Sequence, residues 1–416
     1  MSGISKKWIK RTFITLSVLI GVSVVLILGY LAALVITHGP VYTYRVLVYG
    51  ESSITDYTRV FPSRAVQNQA PAFNFPTAEQ TVNLGRQLIY TYAGKQKVIE
   101  DFEKYLEQSS TTALIIVKDD QLLYEKYFNG YTRDSINRSF SAAKSFTSTL
   151  VGLAVQDGYI HSINDTIITY LPELKGRGLD TMTIRDLMLM NSGIPWTGYS
   201  DGWTLFYPFY NDDSLTYYLP DMRAHVLSLH GGTGPIGSYF YYHNAYPLLE
   251  GIILERTSHK TASAYLEEKI WKPLGMEYPA SWSLDSQESG LEQMGGGLNA
   301  RSIDFAKFAR LFLNDGYWNG KQLLPSGWVK EATSPDPADN RPFKTYPEWK
   351  DMGGYYKYHW WGMHNQDGTY DYAALGHLGQ IIYISPGNNA FVIRNGASGD
   401  SQEWAMIARA IIQLLK

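Results

Sequence analysis

From Phe13 to Ile36 the chain carries no charged side chain. As a helix these 24 positions reach about 36 Å, enough to cross the hydrocarbon core of a bilayer. Beyond them the apolar positions change period. Val98 to Gln108 reads as a helix, and Ala113–Val117 and Leu122–Phe128 read as two strands joined through Asp119-Asp120. Ala143, Phe146, Leu150, Leu153 and Ala154 then recur at helical spacing, and Gly158 after Asp157 supplies a stop signal. Between Gly158 and Gly297 the pattern is mainly helical and loop-like, with a helix around Tyr246 to Glu255, and Ser302 to Asn314 makes an amphipathic helix. In the C-terminal third, Tyr355–Trp361, Gln380–Ser385 and Ala390–Arg394 look like strands, Pro386-Gly387-Asn388-Asn389 like a turn, and Gln402–Leu415 like a final helix.

The strands thus lie at the two ends of the globular chain. An antiparallel sheet completed from both ends and flanked by helices, with a mainly helical region inserted, gives an α+β fold with a cleft where the two regions meet. The expected organisation is a cytoplasmic tail over residues 1–12, a transmembrane anchor over 13–36, a connector rich in Tyr, Ser, Pro and Thr over 37–95, and one domain over 96–416 whose helical region spans roughly 158–297.

Composition narrows the classes. At 416 residues and 45% hydrophobic the chain can bury a large core. Setting aside Lys6, Lys7, Lys10 and Arg11 leaves 32 basic against 39 acidic groups, so there is no nucleic-acid footprint. Cysteine is absent, which excludes disulfides, thiolate metal sites and a thiol nucleophile. The basic cluster before the apolar run places the N-terminus in the cytoplasm and the body outside it, periplasmic or extracellular. The apolar run is long for a signal peptide and no clear Ala-x-Ala site follows closely; a cleaved signal would give the same compartment.

The candidate chemistry begins at Ser141-Ala142-Ala143-Lys144. A serine and a lysine three places apart share one helix face, so a hydroxyl and an amine can share a proton. At a helix start, the dipole and free N–H groups favour the negative charge that builds up in acyl transfer. A lysine of pKa near 10.4 is a poor base at neutral pH, so Lys144 must come down to about 7–8, a shift of about 4 kcal/mol that burial can supply. The bland reading of Ser141 is a helix N-cap, and partners must decide between the two.

Downstream stand Tyr242-His243-Asn244, a Tyr-x-Asn unit, and Gly376-His377-Leu378-Gly379-Gln380, which runs into a strand. With these three motifs in order, and with Tyr170-Leu-Pro-Glu-Leu174, Asn191-Ser-Gly-Ile-Pro195, Lys272-Pro-Leu-Gly-Met276 and Gly295-Gly-Gly-Leu298 as further landmarks, the chain over roughly 95–416 resembles the serine β-lactamase and penicillin-binding-protein superfamily, in its class C β-lactamase-like branch. Its motifs are most similar to those of 6-aminohexanoate-dimer hydrolases and family VIII carboxylesterases. The resemblance implies that Ser141 is the acylated nucleophile, Lys144 its base and Tyr242 the proton relay to the leaving group. It also implies that Asn244 orients Lys144, and that Ser141 and Gln380 supply oxyanion-hole N–H groups. His377 stands where many members carry the first lysine of Lys-Thr-Gly, and Gly376 and Gly379 are expected to let the edge strand approach the substrate closely. His-Leu-Gly lacks the ammonium and hydroxyl that clamp a β-lactam carboxylate. The expected activity is therefore cleavage of a small-molecule ester or linear amide through an acyl-enzyme, with neither metal nor cofactor.

Competing readings remain. A penicillin-binding or sensor-type protein would acylate and stall, and a β-lactamase or D-alanyl-D-alanine carboxypeptidase would share the same residues. Gly198-Tyr199-Ser200-Asp201-Gly202 matches the Gly-x-Ser-x-Gly elbow but lacks the flanking strand and buried helix. Trp196 to Tyr210 reads mostly as packing. His359 and His364, at odd separation on an expected strand, would point to opposite faces and so do not make a metal pair.

Overall fold

The computed structural model describes residues 6–50, 52–79, 82–85, 87–196 and 211–415. The Gly198–Gly202 motif and most of the aromatic stretch after Trp196 lie outside the described residues.

The β-branched and aromatic runs at the two ends of the domain meet in one seven-stranded antiparallel sheet. Its strands are β1 (Thr111–Lys118), β2 (Gln121–Tyr127), β3 (Gly354–Lys357), β4 (Trp360–His364), β5 (Tyr370–Gly376), β6 (Gln380–Ser385) and β7 (Ala390–Gly396), in the order β3-β4-β5-β6-β7-β1-β2. The N-terminal hairpin joins the C-terminal strands through β7 and β1, from Ala390 opposite Lys118 to Asn395 opposite Ala113. Strands β6 and β7 are buried along their whole length, as continuous apolar runs require when both faces are covered.

Helix α1 (Lys6–Tyr49) stands at the N-terminus. The helices that matter for the site are α2 (Ala143–Gln156), α3 (Asp212–Tyr218) and α4 (Ala245–Ser258); α5 (Ser302–Leu313) packs on β1, β6 and β7, and α6 (Ser401–Gln413) on β5, β6 and β7. Helix α2 is buried from Ala143 to Ala154 and packs against α4 and β5, so it joins the helical region to the sheet. A second, four-stranded sheet orders Ser63–Val66, Ala280–Ser283, Leu298–Ala300 and Asn137–Arg138.

Three expectations change. The helix expected from Val98 starts at Phe102, because Lys95–Ile99 pairs as a strand with Leu88–Tyr92; Asp101 caps the helix by accepting from Lys104 N at 3.0 Å. Tyr355–Trp361 is a hairpin, β3 turning into β4 through Tyr358 (φ 42) and His359 (φ 65). Several described stretches of 37–95 are built onto the body. Ser63–Val66 pairs with Ala280–Ser283, the Leu88–Ile99 hairpin packs on α6, and α1 continues to Tyr49 after a break at Gly39 (φ 84, ψ 164) and Pro40. Helix α1 is long and apolar enough to cross a membrane.

Candidate active site

The small sheet delivers the chain to Ser141. Ser139 N donates to Leu298 O (2.8 Å), and Phe140 follows at φ 44, a left-handed conformation that costs a bulky residue about 1–3 kcal/mol. Its buried ring meets the His377 ring edge-on at 5.5 Å and lies under the Arg138 guanidinium at 5.6 Å. A single tight turn, Phe140–Ala142, then sets Ser141 half-buried ahead of α2.

One turn on, Lys144 is buried, and its Nζ donates to Ser141 Oγ, Asn244 Oδ1 and Gly295 O, each at 2.8 Å. Three acceptors match the three donors of an ammonium. In the neutral amine, two N–H groups keep the asparagine and glycine oxygens, and the lone pair then faces the serine hydroxyl. Desolvation brings Lys144 down to about 7, against the opposing pull of the Asp213 and Glu250 carboxylates. A shift of that size is about 5 kcal/mol in favour of the neutral form, enough to make an amine a working base near neutrality. A β-carbon at Gly295 would lie 3.3 Å from Pro247 Cγ, a tight contact, and at ordinary van der Waals distance, 3.5 Å, from the Lys144 amine.

Tyr242 and Asn244 converge on the same pair from the loop ahead of α4. The Ser141 hydroxyl acts on the Tyr242 phenol as a polar neighbour that partly offsets its desolvation, and the Lys144 amine lies 4.8 Å from its ring centre. Its backbone N–H donates to Thr345 Oγ1 (2.7 Å), and its ring is boxed by Tyr346, Tyr356 and Trp361. Burial pushes the phenol well above its ordinary value, so it is held protonated. Asn244, just ahead of α4, turns its oxygen to Lys144 and gives its Nδ2 to Asp213 Oδ1 at 2.9 Å. Asp213 was missed by sequence reasoning.

The third motif forms the opposite wall. Gly376 ends β5 so close to the Ser141 turn that a β-carbon would sit 2.2 Å from Ser139 O and 3.2 Å from Ala142 N. His377 is exposed at the lip. The Gln380 side chain turns inward, donating to Gly396 O (2.6 Å) and accepting from Asn395 Nδ2 (3.0 Å), so only its backbone can serve the cleft. Gly379 is at φ +79, and a β-carbon would approach Arg394 Nη1 to 2.4 Å and Trp404 Cδ1 to 2.7 Å. Buried Arg394 donates to Leu378 O (2.8 Å) and Gly379 O (2.9 Å) and stacks on Trp404 at 4.2 Å, fixing this loop from behind.

Beneath the cleft lies a polar cluster that no motif announces. His359 Nε2 is 3.0 Å from both oxygens of Glu250, its Nδ1 is 3.1 Å from Tyr356 Oη, and the His359 and Glu250 side chains are both fully buried. Ser145 Oγ donates to His359 O (2.7 Å), which ties α2 to the β3–β4 turn. His364 is exposed against Tyr355. The described residues contain no cluster of three or more His, Asp or Glu that could hold a metal ion.

The β-lactamase family model matches residues 98–413. The chain belongs to the β-lactamase family. Among curated relatives of this family member, the 6-aminohexanoate-dimer hydrolase of Paenarthrobacter ureafaciens is 24% identical over 334 residues, covering 76% of this chain and 80% of that one. A Bacillus anthracis protein assigned to the 6-aminohexanoate-dimer hydrolases superposes with a TM-score of 0.71 at 25% identity, over 87% of this chain and 92% of its own. A class C β-lactamase shares the fold at a TM-score of 0.55 and 12% identity, over 76% and 94% of the two chains. The fold is therefore that of the serine β-lactamase and penicillin-binding-protein superfamily.

Proposed function

We propose that the protein is a membrane-anchored serine hydrolase that cleaves a small ester or linear amide through an acyl-enzyme on Ser141. The observation that carries this reading is the Lys144 amine, brought down to about 7 by burial and aimed at Ser141 Oγ by two other acceptors.

In acylation, Ser141 Oγ bonds to the substrate carbonyl carbon as its proton passes to Lys144 Nζ. The N–H groups of Ser141 and Gln380 receive the oxyanion. The carbonyl-to-heteroatom bond then breaks. The leaving oxygen or nitrogen takes a proton from Tyr242 Oη, which recovers one from the Lys144 ammonium. A phenol held protonated by burial suits the acid role better than the base role. Water next attacks the acyl carbon and yields its proton through the Tyr242–Lys144 pair, and Ser141 leaves reprotonated. The products are a carboxylic acid and an alcohol or amine.

His377 at the lip and Leu378 beside it offer no fixed ammonium for a substrate carboxylate, which favours esters and linear amides over β-lactams. Similarity to 6-aminohexanoate-dimer hydrolases supports an amide substrate. The uncharged span Phe13–Ile36 behind a basic N-terminus supports an anchor with the catalytic body outside the cytoplasm.

The test is turnover of chromogenic short-chain esters and linear amides by the full-length protein in detergent. Many turnovers per enzyme, lost in Ser141→Ala, are expected. One burst equivalent followed by arrest would instead identify an acylating sensor, and preferential turnover of β-lactams would overturn the substrate assignment.

A further inference from the structure

Helix α1 does not stop where its apolar span ends. Gly39 and Pro40 break it, and residues 40–49 form a separate stretch of helix whose direction is set at that break. One face of this stretch is docked on the catalytic body. Tyr42 and Val46 pack in a small apolar cluster with Phe61, Leu215 and Tyr218, Arg45 Nη1 donates to Tyr218 O (3.0 Å), and Tyr218 Oη donates to Gly50 O (2.8 Å). The other face carries Val41, Tyr44, Leu47 and Val48, which are 46, 57, 49 and 53% exposed. A helix docked on a soluble body ordinarily turns its polar side outward, and here the outward side is apolar and aromatic.

From this inverted pattern we propose that residues 40–49 lie in the interfacial layer of the bilayer, seating the catalytic body directly on the lipid surface. The inference rests on the anchor reading above. Three observations choose lipid as the occupant. The exposed apolar face follows the mostly exposed apolar surface of residues 13–36, in which Leu34 is buried, with Thr37, His38 and the Gly39-Pro40 break between them. The one basic side chain of the segment, Arg45, is buried against the body, so no charge opposes immersion of the outer face. Tyr44 and Tyr49 meet edge-on at 6.0 Å, and such rings favour the headgroup level.

The seat reaches the catalytic cleft. Helix α3, which Arg45 and Val46 hold at Tyr218 and Leu215, carries Asp213 one turn earlier, and Asp213 accepts from the asparagine that orients Lys144. The cleft therefore stands within one short helix of the lipid surface, and amphiphilic esters or amides partitioned into that surface are the substrate class placed best to reach it.

The chain lacks cysteine, so single introduced cysteines label uniquely. The full-length protein, reconstituted in phosphatidylcholine vesicles, is labelled with an environment-sensitive fluorophore at Val41→Cys, Tyr44→Cys or Val48→Cys. Ile20→Cys serves as the membrane control and Asp119→Cys, in the turn before edge strand β2, as the aqueous one. The expected result is blue-shifted emission and several-fold stronger quenching by brominated lipid at positions 41, 44 and 48 than at 119, with iodide ineffective. Iodide quenching at 41, 44 and 48 equal to that at 119, with position 20 still in lipid, overturns the seat and spares the anchor. Protection from both quenchers overturns it in favour of a second copy or another protein covering the face. Loss of lipid quenching at position 20 as well overturns the anchor and the seat together, and the serine-hydrolase reading is tested separately by turnover.

Discussion

Asp213→Asn is the substitution that most sharply tests the electrostatics of the site. The Asp213 carboxylate is two hydrogen bonds from the Lys144 amine, 2.9 Å to Asn244 Nδ2 and 2.8 Å from Asn244 Oδ1 to Nζ. It raises the lysine's proton affinity, whereas desolvation lowers it to about 7. At roughly 6 Å and an effective dielectric of about 20, one unit charge is worth about 3 kcal/mol, and stronger screening at the cleft reduces this to about 1 kcal/mol. Asparagine keeps an oxygen for Asn244 and removes only the charge. The free-enzyme Lys144 value therefore falls by about 1–2 pH units, and the neutral base persists to lower pH. In a kcat/KM profile on a neutral ester, wild type loses activity as pH falls through about 7, and the variant loses it about 1–2 units lower. An acid limb that stays in place or moves to higher pH would refute the assignment of Lys144 as the base.

Other substitutions probe separate parts of the arrangement. Lys144→Ala is expected to lower kcat by several orders of magnitude in steady-state ester hydrolysis, and activity within tenfold of wild type would contradict the mechanism. Gly376→Ala forces a β-carbon to 2.2 Å from Ser139 O, so either β5 or the Ser141 turn must move; a loss of kcat larger than the loss of thermal stability would show up in paired assays. His359→Ala leaves Glu250 buried without its partner, and a loss of about 3–5 kcal/mol in denaturant unfolding is expected.

The site was legible where chemistry is local in sequence. Ser141 and Lys144 share a helix face by spacing alone, and Tyr242 and Asn244 are two residues apart on one loop, so the motifs already contained most of the local geometry. What stayed hidden depends on contacts across the fold. Asp213 reaches Asn244 from 31 residues away in the chain, and no pattern in its own neighbourhood marks it; Gly295 lies in the Gly295-Gly-Gly-Leu298 landmark, but its contact with Lys144, 151 residues away, shows only in the fold. Arg394 looks like any strand residue until its guanidinium is seen closing the loop at Leu378 and Gly379.

Elements were misread for related reasons. Val98 and Ile99 fit a helical period as well as an alternating one, and only pairing of Ile99 with Leu88 decides for a strand. Tyr358-His359 carries none of the Asn-Gly chemistry of a two-residue hairpin turn. Its left-handed backbone is held instead by side chains. Tyr358 Oη reaches Glu331 and Arg185, and His359 reaches Glu250 and Tyr356. The fold class survived these errors because the apolar runs of β1, β6 and β7 specify a buried sheet whichever way the shorter pieces are assigned.

The central claim is that Ser141 is the nucleophile. Its most direct measurement is the intact mass of the full-length protein after treatment with a fluorophosphonate, in wild type, Ser141→Ala and Ser200→Ala. The account predicts one phosphonyl adduct in wild type and in Ser200→Ala, and none in Ser141→Ala. An adduct that persists in Ser141→Ala and disappears in Ser200→Ala would contradict it.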